Sequence, residues 1–353
     1  MRNTPHSLRT SPLRSRRAFL RAGLAGTAGA MLARGVPVAF ARSAAHVTSI
    51  ERAIYTMGSV LHATVYAESR SHGIQALSLV FEEFRRLEKL LSVFDDASEI
   101  SAVNRAAGLG AVNVSQETFD VVRSAVDYER ATGGMFSPMV EPLMRVWGFR
   151  SPGCPPVELP SAGELTALVR TVSARNIALT APGRSIGLTV AGSALDLGGI
   201  GVGFALDRAI GILRREGIEA AFLNHGGDAY ALGHPPGSGG WEVGIPDPAN
   251  PSSILESFMI CDRAIATSGA YERYVEIDGT RFGHILDPNR GFPAVPHASV
   301  TVLAASSTHA DALSTAIFCI DSRECAASLA GVSGIEAIIV DAGPNGSPEV
   351  WRC

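Results

Sequence analysis

The chain has 353 residues, of which 46% are hydrophobic and 18% are charged, as is typical of a globular protein with a sizeable core. Residues 1–41 contain seven of the 30 basic residues and none of the 34 acidic ones. The rest of the chain is therefore clearly acidic, which argues against a nucleic-acid-binding protein. The length favours one large domain or two small ones.

Residues 1–41 are predicted to be a targeting segment rather than part of the fold. Ser15–Arg21 resembles the twin-arginine export consensus. The mildly apolar stretch Ala22–Ala33 is shorter than the roughly 20 residues that span a bilayer, and Ala39–Ala41 offers a small-x-small cleavage site. The alternative is a disordered basic tail. We expect export through the twin-arginine pathway to the periplasm, without a stable membrane anchor.

The first part of the mature chain predicts a strand followed by helices. The β-branched and aromatic run Val60–Tyr66 is typical of a strand. Ser115 is a candidate N-cap for a helix that continues through Tyr128 and ends near Gly133–Gly134. Between them, apolar side chains recur at helical spacing, at Ile74, Leu77, Phe81, Phe84, Leu87 and Leu91.

The second part predicts hairpins interleaved with helices. Ser161–Glu164 resembles a capping box before a short helix. Tyr274–Ile285 is typical of a hairpin that turns at Asp278-Gly279. Further elements are expected as two strands in residues 176–190, helices at 203–216 and 308–319, and a surface loop at 234–240. Since strands and helices do not alternate strictly, the sequence predicts an α+β fold with largely antiparallel sheet.

The five cysteines do not indicate a metal site. Their number is odd, and their spacing fits neither a zinc site nor a dense disulfide framework. Cys319 lies in an apolar run and is predicted to be a small core residue. One disulfide stays possible in an oxidising compartment, and the sequence does not select its pair. The positions are Cys154, Cys261, Cys319, Cys325 and Cys353.

Two glycine-rich segments are candidates for contact with a ligand. Asp196–Gly203 leads into an amphipathic helix, where closely spaced glycines let backbone approach a ligand and the helix N-terminus favours phosphate. Glycines for close packing are an equally good interpretation. Asn224–Asp228 follows an apolar run and can direct backbone N–H groups into a cleft, although plain turns use the same residues.

Two further segments carry candidate chemical groups. In His284–Pro288, His284 and Asp287 could supply a general base and its orienting partner, although a lone His beside a strand is more often structural. In the helix that begins near His309, Asp311 and Thr315 are four apart and share a face. A carboxylate and a hydroxyl are hard oxygen ligands that suit Mg²⁺. The alternative for Asp311 is charge matching with the helix dipole.

In this order, the segments resemble the ApbE family of flavin transferases, the FAD:protein FMN transferases, from about Met57 to Ile320. No single segment is decisive, and the agreement of eight in order carries the resemblance. The matching residues are Met57–Ser59, Ser92–Phe94 with Ser98–Ser101 and Asn104, Thr132–Phe136 with Trp147–Phe149, Asp196–Gly199, Asn224–Asp228, Thr267–Gly269 with Tyr271, His284–Pro288 with Gly291, and Ala310–Thr315.

The resemblance implies an ApbE-like, T-fold-related α+β domain over residues 46–353. It implies a Mg²⁺ site formed by Asp311, Thr315 and the backbone carbonyl of Gly199, and His284 as the catalytic residue. The reaction implied is transfer of FMN from FAD to a Ser or Thr hydroxyl of an exported redox protein, with release of AMP. The positions that fall on FAD contacts are Met57, Phe94, Met135, Phe136, Ser137, Asp196, Val202 and Ile285.

Several positions depart from the family pattern. Val202 stands where the family usually has Lys, and Ser137 where it has Asp, so a charged pair is missing. Phe94 replaces a Tyr and keeps a stacking face. Met139 replaces a Thr, and Arg290 replaces the Thr after the Asp-Pro pair. Two alternatives therefore stay open: a flavin-binding maturation or electron-transfer accessory with weak or no transferase activity, and a metal-dependent FAD pyrophosphatase.

Overall fold

The computed structural model describes residues 47–151, 156, 158–248, 250–269, 273–294, 297–320, 325, 334–342 and 348–353. The predicted targeting segment, residues 1–41, lies outside the described residues, as do Cys154 and Tyr271. Export of the chain therefore stays a prediction.

The described residues form fifteen strands and seven α-helices, with short 3-10 turns on either side of β4. The strands are β1 (Thr48–Thr56), β2 (Ser59–Ala67), β3 (Ala111–Asn113), β4 (Ile177–Thr180), β5 (Ser185–Leu188), β6 (Ala220–His225), β7 (Asp228–Leu232), β8 (Trp241–Asp247), β9 (Asn250–Ile260), β10 (Arg263–Gly269), β11 (Tyr274–Ile277), β12 (Thr280–Gly283), β13 (Ser299–Ala304), β14 (Glu336–Ala342) and β15 (Pro348–Arg352). The helices are α1 (Arg70–Leu91), α2 (Glu99–Arg105), α3 (Gln116–Ala131), α4 (Glu141–Val146), α5 (Ala162–Val169), α6 (Gly201–Arg215) and α7 (Ser307–Phe318).

The main sheet has eight strands in the order β1-β2-β6-β7-β10-β13-β14-β15. Smaller sheets are formed by β3-β5-β4, by β8-β9 and by β11-β12. Within the described ranges the paired strands run antiparallel throughout. The predicted α+β fold with largely antiparallel sheet is confirmed.

The main sheet is covered on both faces. Helices α1, α6 and α7 pack on one face, and the β8-β9 hairpin lies over the other with Trp241 in its core. Strand β10 shows the alternation that this requires: Ala264 and Ala266 belong to the core under the helices, and Ile265 to the core under the hairpin. The small residues on the helix side let α7 approach β10 closely.

The predicted apolar face of α1 is confirmed except at one position. Ile74 is 36% exposed, and the neighbouring Gly73 is buried instead. A methyl group on Gly73 would lie 2.5 Å from Cδ1 of Ile50, so the glycine lets the start of α1 lie against β1. The buried face of the helix also contains Leu77, Phe81, Phe84, Leu87 and Leu91.

The predicted caps and turns are present. The Ser115 hydroxyl accepts a hydrogen bond from the Thr118 amide and starts α3, and Ser161 does the same for α5. The β11-β12 hairpin turns at Asp278 and Gly279, both at positive φ, as a type I′ turn requires. Helices α6 and α7 begin within two residues of their predicted starts.

Across the described ranges, no helix is both long and apolar enough to cross a membrane.

Four of the cysteines, Cys261, Cys319, Cys325 and Cys353, are free thiols. Cys319 packs against the main core as predicted, and burial raises the pKa of its thiol to about 12.

Candidate functional site

Helices α6 and α7 lie in close contact at Gly203. A methyl group on Gly203 would lie 2.4 Å from the carbonyl oxygen of Ser307 and 2.9 Å from Cβ of Asp311. Only glycine permits this approach without a shift of the backbone. The Gly203 amide donates a 2.9 Å hydrogen bond to Oδ2 of Asp311. The glycine-rich segment therefore has a packing role, and it also brings a helix N-terminus to a buried carboxylate.

Asp311 is a buried residue, with 5% of its surface exposed. Burial raises its pKa to about 7; the Asp207 carboxylate adds to this, and the hydrogen bond from Gly203 acts in the opposite direction. A buried carboxylate in this state is stabilised in its charged form by a cation that binds beside it. The environment of Asp311 thus favours cation binding.

Asp207 holds the beginning of α7 in place. Its carboxylate accepts hydrogen bonds from the Ser307 and Thr308 amides at 2.7 and 2.9 Å. It also accepts from the hydroxyls of Ser306 and Thr308 at 2.8 and 2.6 Å. These bonds join α6 to the first turn of α7, so Asp207 fixes the position of Asp311 one turn further on.

Gly199, Thr315 and Phe136 lie in contact with one another, and Thr315 follows Asp311 by one turn of α7. A methyl group on Gly199 would lie 2.9 Å from Oγ1 of Thr315 and 3.4 Å from Cε2 of Phe136. Thr315 follows Asp311 by four residues on α7, and side chains at this spacing are neighbours on a helix face. The three residues predicted from the resemblance to hold a metal, Gly199, Asp311 and Thr315, therefore lie together.

The donors present fit a hard divalent cation. They are a carboxylate, a hydroxyl and a backbone carbonyl, the oxygen ligands that Mg²⁺ uses. In the part of the chain that the structure describes, no group of three or more His, Cys, Asp or Glu side chains is placed to hold a metal ion. A cation at Asp311 would accordingly take much of its coordination shell from water and from phosphate oxygens of a substrate, as Mg²⁺ commonly does.

Met57 lies in the turn between β1 and β2 with positive φ. Its amide donates a 2.8 Å hydrogen bond to Oε1 of Glu88, and the Thr56 hydroxyl donates to the other oxygen of the same carboxylate at 2.9 Å. The Met57 side chain reaches toward Gly201, where a methyl group would lie 3.8 Å from its Cε. Glu88 thus holds the turn so that Met57 lies beside the start of α6.

The loop between α3 and α4 contains three of the residues predicted to contact FAD, Met135, Phe136 and Ser137. Phe136 is buried and packs edge-to-face on Tyr128. The Ser137 hydroxyl donates a 2.7 Å hydrogen bond to the buried Glu129 carboxylate, which explains how a serine is accommodated here. Met135 is half-buried, and the Asn289 amide nitrogen lies 3.8 Å from its sulfur.

The loop that contains Asp196 is held on both sides. Asn104 exchanges two hydrogen bonds with the backbone of Leu195, at 2.7 and 2.9 Å. The Asp196 amide donates to the Pro138 carbonyl at 2.8 Å. One oxygen of the Asp196 carboxylate accepts from the Gly198 amide at 2.6 Å, and the other pairs with Arg150. The guanidinium of Arg150 also lies over the exposed ring of Phe94.

His284 lies at the end of β12, next to this loop. Its Nδ1 lies 3.3 Å from the backbone carbonyl of Arg273. Burial lowers the pKa of the imidazole to about 4; the positive charges of Arg273 and Arg150 act in the same direction, and Asp196 acts against them. His284 is therefore a neutral imidazole at neutral pH, the state that a proton acceptor needs. Asp287, expected as its orienting partner, instead accepts the Asn289 and Arg290 amides and shapes the following turn.

Two predicted positions have mainly packing environments. Ile285 is 7% exposed and belongs to the main core. Val202 lies in the first turn of α6 and packs partly against the same core.

Two further segments that match the family, Asn224–Asp228 and Thr267–Gly269, connect neighbouring elements of the fold. The His225 imidazole contacts the Thr56 carbonyl through Nε2 at 2.9 Å and stacks on Phe84, and the glycines that follow form the β6-β7 turn. Ser268 on β10 is hydrogen-bonded to Ser314 on α7 at 2.9 Å. These segments support the site by fixing the β1-β2 turn and α7.

The profile of one protein family matches residues 57–339, which is most of the chain, and that family is ApbE. The chain belongs to the ApbE family. The resemblance noted from the sequence is thereby confirmed, and the matched region includes the loops and helices described above.

Two curated relatives of the chain are FAD:protein FMN transferases. The chain is 31% identical over 292 residues to a FAD:protein FMN transferase of Klebsiella pneumoniae (strain 342), covering 81% of this chain and 89% of the relative. It is 31% identical over 316 residues to a FAD:protein FMN transferase of Treponema pallidum (strain Nichols), covering 84% and 85%. The chain is accordingly an enzyme, a flavin transferase that uses FAD.

Solved ApbE structures share the fold. The ApbE protein of Thermotoga maritima superposes with a TM-score of 0.78 at 29% identity, covering 86% of this chain and 96% of that one. The flavin transferase ApbE of Vibrio cholerae gives 0.76 at 25% identity, covering 87% and 97%. The predicted ApbE-like fold is confirmed.

Sequence reasoning missed three charged residues that shape this ApbE site. Asp207 and Glu88 lie on helices with many charges, and a helical pattern does not show which charged side chain turns inward. Arg150 follows the Trp-Gly-Phe motif, and its partners Glu141 and Asp196 are nine and 46 residues away. Only the fold brings these groups together.

Proposed function

We propose that this ApbE protein transfers FMN from FAD to a Ser or Thr hydroxyl of an exported acceptor protein in a Mg²⁺-dependent reaction that releases AMP. The observation that carries this proposal is the convergence of Asp311, Thr315 and Gly199 at the start of α6. A buried carboxylate with a raised pKa, a hydroxyl and backbone groups at a helix N-terminus form a site suited to a cation and a phosphate.

Asp311, Thr315 and the carbonyl of Gly199 would hold the cation. When bound, Mg²⁺ neutralises charge on the pyrophosphate of FAD, which lowers the barrier to phosphoryl transfer. The N-terminus of α6 adds favourable partial charge near the same phosphates. The contribution of the chain itself is mostly positioning and fixed electrostatics.

His284 is proposed as the base for the acceptor hydroxyl. The hydroxyl oxygen forms a new bond to the phosphorus of the FMN half, the bond from that phosphorus to the bridging oxygen breaks, and AMP leaves with that oxygen. The hydroxyl proton passes to the neutral imidazole. The lowered pKa of His284 keeps the imidazole unprotonated over the whole neutral range, which leaves its nitrogen free to accept the proton at the expense of basicity.

The cellular setting is proposed from the amino-terminal residues. The twin-arginine pattern in Ser15–Arg21 supports export of the folded enzyme to the periplasm. The acceptor would then be an exported redox protein that carries a Ser or Thr flavin-acceptor motif. FAD is the other partner.

The test is incubation of the purified protein with FAD, MgCl₂ and a peptide that carries a Ser or Thr flavin-acceptor motif. Mass spectrometry measures FMN on the peptide, and chromatography measures AMP. We expect equal amounts of adduct and AMP. Both products should be lost with EDTA and in Asp311→Asn. Both should be retained in Asp120→Asn, which changes a half-buried carboxylate on α3 that pairs with Arg123. Bound FAD without AMP would overturn transfer in favour of a flavin-binding accessory. AMP and free FMN without adduct would indicate a pyrophosphatase.

A further inference from the structure

Arg150 is fixed between two carboxylates in the flavin-transferase site. Its Nε donates to Oε2 of Glu141 at 2.6 Å, and its terminal nitrogen pairs with Oδ2 of Asp196. The three side chains are 15%, 2% and 10% exposed, respectively. The two carboxylates raise the pKa of Arg150, although burial acts against them. A guanidinium fork can satisfy two acids at once, which a lysine ammonium does less well.

The same guanidinium supports an exposed aromatic ring. Its central carbon lies 5.0 Å from the centroid of the Phe94 ring, a cation–π arrangement. Phe94 is nevertheless 69% exposed, so most of its surface remains accessible. An exposed aromatic ring is a favourable stacking surface for a planar ligand, and Arg150 links this ring to Asp196 in the loop before α6. Because Arg150 is held by Glu141 and Asp196, it supports the ring from a fixed position.

We propose that Arg150 is a positioning residue for FAD. It holds the Asp196 carboxylate in one orientation and supports the Phe94 ring, so that a planar ring of the dinucleotide stacks on Phe94. The inference rests on the placement of FAD beside Phe94 and Asp196 in the proposed function. Arg150 lies outside the matched motifs, and its effect is on FAD affinity rather than on the chemical step.

Arg145 provides a matched control. It binds the other oxygen of Glu141, at 2.8 Å, but its side chain is 63% exposed. Arg145 and Arg150 thus share one acidic partner and carry the same charge. Arg150 alone of these two pairs with Asp196 and lies over Phe94. Neutralising each in turn separates a general charge effect from positioning.

The experiment measures the Kd of FAD by quenching of flavin fluorescence, and KM and kcat for transfer, in Arg150→Gln, Arg150→Lys and Arg145→Gln. We expect Arg150→Gln to raise Kd and the KM for FAD about tenfold, with kcat at saturating FAD within about twofold. Arg150→Lys should recover part of the loss, and Arg145→Gln should bind FAD as the wild type does. Wild-type affinity in both Arg150 variants overturns the proposal.

A double-mutant cycle with Phe94→Leu tests the route of the effect. If Arg150 acts through the ring, Arg150→Gln should cost clearly less affinity in the Phe94→Leu background than in the wild type. Additive losses would contradict support of the ring. If thermal melting shows that Arg150→Gln is unfolded, the FAD affinity of Arg150→Lys, which keeps the charge, is the deciding measurement. A wild-type protein that does not bind FAD would instead overturn the proposed function itself.

Discussion

The amide nitrogen of Gly203 donates a 2.9 Å hydrogen bond to the carboxylate of Asp311, across the contact between α6 and α7. The two residues are 108 positions apart, and the bond exists because glycine lets the helices touch. A single contact thus joins close helix packing to the carboxylate proposed to hold the cation. Substitutions at this contact should affect stability and activity together.

Gly203→Ala should destabilise the fold and lower activity. The added methyl would lie 2.4 Å from the Ser307 carbonyl oxygen, so the helices must separate. We expect a loss of about 1–3 kcal/mol in the free energy of unfolding, measured by denaturant titration. Gly211→Ala, on the same helix, is the control: its methyl meets only Arg215 at 3.5 Å, and it should stabilise by roughly 0.5–1 kcal/mol. Equal effects of the two substitutions would contradict the packing argument.

Thr315→Val should separate the metal site from the fold. Valine has nearly the shape of threonine but lacks the hydroxyl near Gly199. We expect the Mg²⁺ concentration for half-maximal transfer to rise about 10–100-fold, while the melting temperature without metal changes little. Thr315→Ser keeps the hydroxyl and should stay close to the wild type. An unchanged Mg²⁺ requirement in Thr315→Val would remove this residue from the site.

At saturating Mg²⁺, which keeps the Asp311 carboxyl charged despite its raised pKa, the activity should decline in acid only near pH 4. His284 has a folded-state pKa of about 4, below its ordinary value, so the base remains neutral as the pH falls from 7 to 5. Arg273→Gln removes a positive charge that lowers this pKa and should move the acidic limb of the pH–rate profile upward. Arg281→Gln, on the same hairpin and paired with Glu276, should not. A wild-type limb near pH 6.5 would contradict the assignment.

The lowered pKa of His284 also makes the stability of the fold depend on pH. Because the unfolded chain binds a proton on this imidazole at higher pH than the folded chain, the contribution of His284 to stability is present above pH 6.5. It is lost as the pH falls from 6.5 toward 4. Thermal melting across this range, compared between the wild type and His284→Gln, measures the contribution. A smaller pH dependence is expected in the variant.

Asp207→Asn should loosen the start of α7. The carboxylate accepts four hydrogen bonds from Ser306, Ser307 and Thr308, and an amide oxygen cannot replace all of them. We expect a loss on the order of 1.5–3 kcal/mol in the free energy of unfolding. Hydrogen exchange at the first amides of α7 should rise in step. Asp127→Asn, an exposed residue on α3, is the control, and an equal loss there would contradict the capping role.

Much of the fold could be predicted because it depends on local patterns. The caps at Ser115 and Ser161 and the turn at Asp278-Gly279 each need only a few adjacent residues, and all three are present. The error at Ile74 has a tertiary cause, since contact with Ile50 places Gly73 rather than Ile74 against β1. Periodicity indicates which face of a helix is apolar, but not which glycine a neighbouring strand requires.

The candidate site, like the fold, could be predicted from the sequence only in part. Its motifs identified the family and placed Asp311 and Thr315 on one helix face, because that spacing is a property of the helix itself. The burial of Asp311 beside Asp207, the low pKa of His284 and the pairing of Arg150 with Glu141 and Asp196 depend on contacts between distant segments. The sequence by itself thus determined the family, several of the helices and hairpins, and the ligand types of the proposed cation site. The tertiary structure decided which charges face one another, because burial and electrostatic interaction depend on distances through space that no spacing along the chain contains.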